Sequence, residues 1–128
     1  MGRLLNYGCG EIVDRLTVLS LKLLYGRESG KDVKHFEQER SALLTKLAGR
    51  TLNGAWFEQT LELAATNAAL WQVGDALREI RSHDPNSGLM EEAGRLGCQL
   101  QSLNDGRALL IEAINKQTGD FIGPEKTK

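Results

Sequence analysis

Between Gly10 and Leu24 the apolar residues recur at helical spacing. At about 100° per residue, Ile12, Val13, Leu16, Leu19, Leu23 and Leu24 fall on one broad side. The opposite arc gathers Glu11, Asp14, Arg15 and Lys22, with Val18 the lone apolar residue among them. The pattern predicts a helix from about Gly10 to Tyr25, stopped by Gly26. A second amphipathic run carries Val33, Phe36, Leu43, Leu44 and Leu47 inward. Asp32 is its expected N-cap, because a carboxylate there accepts from the free N–H groups of the first turn. Gly49 is its expected end.

A third helix is predicted from about Ala55 to Ser82. Its Leu63, Thr66, Leu70, Val73, Leu77 and Ile80 alternate spacings of three and four, which makes a coiled-coil-like seam. The stretch from His83 to Gly88 contains Pro85 and is the clearest loop. The fourth helix starts near Leu89, with Leu89, Ala93, Leu96, Leu100, Leu103, Leu110 and Ile114 on one stripe. Arg107 interrupts that stripe. Asn104, Asp105 and Gly106 form a turn signal elsewhere, but the stripe keeps its phase across them, so one continuous helix is expected. Gly106 then costs about 1 kcal/mol relative to alanine. Residues 1–9 read as a turn segment and 118–128 as a mobile tail. No apolar–polar alternation marks a strand. The expectation is an all-α fold, a single domain over 1–128: an antiparallel helical bundle of about four helices, two of them long.

Composition narrows the function classes. At 128 residues, with 41% hydrophobic and 26% charged content, the chain builds one ordinary core. A net charge of −1 and an aromatic share of 5% argue against a nucleic-acid partner. No run reaches the ~20 apolar residues of a membrane span, so no membrane partner is expected. No signal-peptide pattern opens the sequence, and Asn6 occupies the Ser/Thr position that myristoylation after Met1-Gly2 requires. Cys9 and Cys98 lack CxxC spacing and a nearby histidine, which fits reduced thiols in a cytoplasm. Cys98 reads as a small core hydrophobe. Cys9, at a helix start, is a place where a thiol pKa is lowered.

The candidate chemistry lies in polar residues that lean on the core. Asn67, Trp71 and Arg78 share one arc beside the third helix's seam, and Asn104 precedes Arg107 by one turn. A buried charge needs a partner, and Glu11 or Asp14 are the natural ones for Arg107. Besides a set of mostly solvated groups that never meet, two readings stay open. One is an ion-pair and amide network that fixes helix register. The other is an inter-helix pocket for an anion or a metal-bound anion, with Glu11, Asp14, Arg15, Lys22, Asn67, Trp71, Asn104, Asp105 and Arg107 as its ligand-binding residues. Glu11 and Asp14, three apart on a helix, suit Mg²⁺. The second acidic motif of helical-bundle nucleotide pyrophosphatases would fall at Glu91-Glu92 or Asp105, and neither reproduces it. Asp75 and the Glu91-Glu92 pair read as exposed helix charges, and His35 and His83 as surface residues. Nucleophile-elbow, phosphate-loop, dinucleotide and zinc motifs are missing from the sequence.

The segment from Gly10 to Lys22 resembles the opening signature of small bacterial helical proteins grouped as a domain of unknown function. The resemblance extends to 70–78, to Asn104-Asp105 with Arg107, to Ile114-Asn115 and to Gly123–Lys126, with Gly106 a departure. It implies an all-helical fold without an assigned activity, and an association with cell-envelope sugar metabolism. Its matching positions are Glu11, Asp14, Arg15, Lys22, Trp71, Asn104, Asp105 and Arg107. Taken together, the sequence points first to a non-enzymatic interaction module that forms a homodimer. The alternative is an enzyme or binding protein for a phosphorylated or nucleotide-linked small molecule, Mg²⁺-dependent in one version.

Overall fold

The computed structural model describes residues 8–120, so 1–7 of the expected N-terminal turn over 1–9, 121–128 of the expected tail over 118–128 and the Gly123–Lys126 match lie outside them. Of the rest, Cys9 already opens a helix, Thr118 ends one and Asp120 accepts from the Cys9 N–H. Four helices follow in order: α1 (Cys9–Glu28), α2 (Lys34–Leu47), α3 (Gly54–Arg81) and α4 (Ser87–Thr118). The described residues contain no strand. Local chemistry sets most of the ends. Asn53 Oδ1 accepts from the Trp56 N–H at 3.0 Å to open α3, and Asn86 Oδ1 accepts from the Leu89 N–H at 2.9 Å to open α4. Gly119 closes α4 with φ +79°, a conformation that favours glycine. Asp32 Oδ1 accepts from the Lys34 N–H at 3.0 Å, although the cap position itself falls one residue later, at Val33.

Two expectations fail for physical reasons. Gly26 does not stop α1, which runs on to Glu28. A Cβ at Gly26 would sit 2.6 Å from Val33 Cγ1, so this glycine lets the start of α2 pack tightly and is no terminator. Leu24 and Leu44, expected inside, are 53% and 51% exposed. Each sits one position beyond a fully buried leucine, Leu23 or Leu43, and the next step around the helix already faces solvent. Helix α4 is continuous through Asn104–Gly106, as its unbroken stripe requires.

α1 is the organising helix. It packs against each of the other three, whereas α2 approaches closely only α1. Gly10 and Asp14 meet Asn115 and Arg107, so α1 and α4 run antiparallel. The bond from Gln117 Nε2 to Asn53 Oδ1 fixes the antiparallel register of α3 and α4 at the base of their hairpin. α1 buries Cys9, Ile12, Val13, Leu19 and Leu23. Of their apolar residues, the two longer helices bury only Leu63 and Val73, and Leu96 and Ile114, respectively. Both core clusters contain α1 residues: Cys9 and Val13 with Leu63 and Ile114, and Ile12 and Leu19 with Leu43.

The α3–α4 hairpin outruns this core. At 28 and 32 residues, its helices are roughly 42 and 48 Å long, against roughly 30 Å for the 20 residues of α1. Tyr25 stacks on Trp71 with ring centroids 5.3 Å apart, and α1 ends within a turn of that contact. α3 continues to Arg81. The rest of the hairpin is an arm of two helices.

Candidate functional site

The polar residues nominated by the sequence separate into three places. The first is a buried knot on Asp14, which is 7% exposed. Arg107 grips its carboxylate with two bonds, Nε to Oδ1 at 2.8 Å and a terminal nitrogen to Oδ2 at 2.6 Å. Asn67 Nδ2 donates to Asp14 Oδ1 at 2.8 Å and to Thr17 Oγ1 at 2.7 Å, and the Thr17 hydroxyl donates to the Asp14 carbonyl. The knot joins α1, α3 and α4 at one level. Both Asp14 carboxylate oxygens and the Asn67 amide nitrogen are engaged within it, and the Asp14 bonds raise the Arg107 pKa.

The second place is the N-terminus of α1, held by the C-terminal end of α4. Asn115 Oδ1 accepts from the Gly10 N–H at 2.7 Å, and Asn115 Nδ2 donates to Glu11 Oε1 at 2.8 Å. That Glu11 oxygen also accepts from the Gly8 N–H at 3.1 Å. Asp120 Oδ2 accepts from the Cys9 N–H at 3.0 Å and pairs with Arg50 at 2.6 Å. The free amides and the positive dipole end of α1 are therefore met by the protein's own carboxylates and amide. Gly10 permits this approach: a Cβ there would lie 2.3 Å from the Ile111 carbonyl oxygen. Burial pushes the Cys9 thiol pKa up, against the lowering expected at a helix start, because desolvation outweighs the neighbouring Trp56 and Arg50. The Trp56 indole N–H and Gln59 Oε1 are buried without hydrogen-bond partners.

The remaining residues face outward. Arg15 forms a bidentate pair with Glu39 at 2.7 and 2.8 Å, which lowers the Glu39 pKa. Lys22 places its ammonium 5.3 Å from the Phe36 ring centroid. Trp71 stacks on Tyr25. Asn104 and Asp105 are exposed, and Asp105 accepts from Gln101. Arg78, expected beside the seam, is exposed and paired with Asp75 on its own helix. Cys98 is exposed rather than in the core.

Asp14, Asn67 and Arg107 thus converge, Glu11 lies one turn away with a different partner, and Asn104, Asp105 and Arg15 do not join them. Sequence reasoning missed Thr17, Glu39, Arg50 and Asp120 as partners. Only Asn115 left a signal, as a polar residue directly after the stripe residue Ile114. No group of three or more His, Cys, Asp or Glu side chains among the described residues is placed to hold a metal ion. No described helix is long and apolar enough to cross a membrane. No family model, curated protein or solved structure matches the chain.

Proposed function

We propose that this protein is a non-enzymatic helical interaction module that works as a homodimer, joined through the outer arm of the α3–α4 hairpin. The observation that carries the reading is an interrupted cover. At the base, α1 lies over one face of the hairpin, the face of Leu63 and Asn67 on α3 and of Arg107 and Ile114 on α4. Helical spacing continues that face past the Tyr25–Trp71 contact as Gly74 and Leu77 on α3 and Leu89 and Ala93 on α4. All four are only half-buried.

The occupant that fits is a second copy. Asp75 pairs with Arg78 and Glu92 with Arg95 within their own helices, and the face positions themselves carry no charge to select a charged partner. Two such hairpins meeting about a two-fold axis complete a four-helix bundle and bury both seams. The Asp14 knot serves this module as its register lock. Both Asp14 oxygens already face Arg107, which favours a structural role over Mg²⁺ ligation.

Amide hydrogen exchange at two protein concentrations tests the reading. Protection over 70–81 and 89–100 should rise in the concentrated sample, while the amides of α1 stay unchanged. Equal exchange of the arm at both concentrations, with a monomer mass throughout, contradicts it.

A further inference from the structure

We propose that a groove between the C-terminal turn of α1, the start of α2 and Trp71 binds a planar aromatic anion, of the class of a purine nucleoside monophosphate. The groove encloses about 370 Å³ and lies on the α1–α2 side of the molecule. That volume falls at the lower end of small-molecule sites. Its walls bring together Tyr25, Trp71, Phe36 and His35 in a chain with few aromatic residues. Tyr25 and Trp71 already stack on each other, with rings inclined by 23°, so a ligand ring would extend the stack from outside instead of entering it. Trp71 is half-buried and Tyr25 is 37% exposed, which leaves aromatic surface for a flat partner.

Two ammonium groups, Lys22 and Lys31, and one carboxylate, Asp32, line the groove with His35. Asp32 spends one oxygen on the Lys34 N–H. Glu39, a carboxylate near Lys22, is held bidentate by Arg15. An apolar, aromatic trough with two ammonium groups at its edge complements a ligand with a flat ring at one end and a phosphate at the other. A neutral aromatic ligand would leave the lysines unused. Inorganic phosphate alone would leave the rings unused.

The test is titration calorimetry of the full chain with adenosine 5′-monophosphate, adenosine and inorganic phosphate as separate probes. The nucleotide should bind at least about tenfold more tightly than either fragment. Trp71→Leu should weaken nucleotide binding by about tenfold or more. Lys22→Ala with Lys31→Ala should bring the nucleotide down to the affinity of adenosine. Lys31→Ala alone, on an exposed loop, should retain the fold and show a partial loss. Absence of heat at millimolar nucleotide overturns the proposal. So does unchanged affinity in the Lys31→Ala and Lys22→Ala variants, or phosphate binding as tightly as the nucleotide. These outcomes are independent of whether the arm dimerises.

Discussion

The base of the molecule and the outer arm of its long hairpin solve the same problem differently. At the base, polar contacts run between helices that are far apart in sequence: Asp14 to Arg107, Asp14 to Asn67, Gly10 to Asn115. In the arm, Asp75–Arg78 and Glu92–Arg95 stay within one helix, a turn apart. Cross-helix bonds fix register and direction, whereas pairs a turn apart stabilise a helix without telling it where its neighbour is. The base is therefore specified in three dimensions by directional chemistry. The arm is held by an apolar seam, which is non-directional and equally satisfied by a helix from another copy.

The most damaging change at the base should be Arg107→Met. It leaves the Asp14 carboxylate buried with Asn67 as its remaining side-chain partner, and a loss of about 3 kcal/mol is expected in urea denaturation. Asp14→Ala should cost about 2 kcal/mol, because the stranded Arg107 side chain is 36% exposed and reaches water. A loss near zero in both would mean that the knot is decoration, and the contrast with the arm would collapse. Gly10→Ala should cost about 2 kcal/mol by forcing α1 off the α4 backbone, read as a lowered thermal midpoint.

Arm substitutions should behave in the opposite sense. Leu77→Glu should halve the assembly mass while lowering the stability of the monomer by less than about 1 kcal/mol, since Leu77 is only half-buried within one chain. A large loss of monomer stability would show the seam to be as self-sufficient as the base. The smallest expected effect belongs to Arg15→Ala. The Arg15 bonds lower the Glu39 pKa, so their contribution is present above the ordinary glutamate range and fades as pH falls through the lowered value. With both side chains about a third exposed, the difference from wild type should stay under about 1 kcal/mol at neutral pH and vanish in acid.

Most of the fold was legible in the sequence, and the failures share a cause. Helix number, the two long helices and the continuity of α4 follow from the phase of the apolar stripe, which is a local property. Gly26 misled because a glycine read along the chain looks like a stop, whereas its role is set by Val33 packing on it. Leu24 and Leu44 misled because periodicity gives a direction but not how wide a face the neighbours cover. For the polar set, Arg107 betrayed itself by standing in an apolar stripe; charge narrowed its partner to Glu11 or Asp14, and the packing of α1 on α4 selects Asp14. Asp120 and Glu39 left no comparable mark, since each is an ordinary surface carboxylate until the fold delivers Arg50 or Arg15 to it.

The account turns on the arm being an interface between two copies. The measurement that tests it most directly is the molar mass of the full chain by light scattering across a micromolar dilution series. It predicts twice the 14.1 kDa of one chain at the concentrated end. A mass of one chain at every concentration, with the helical content intact, would contradict it.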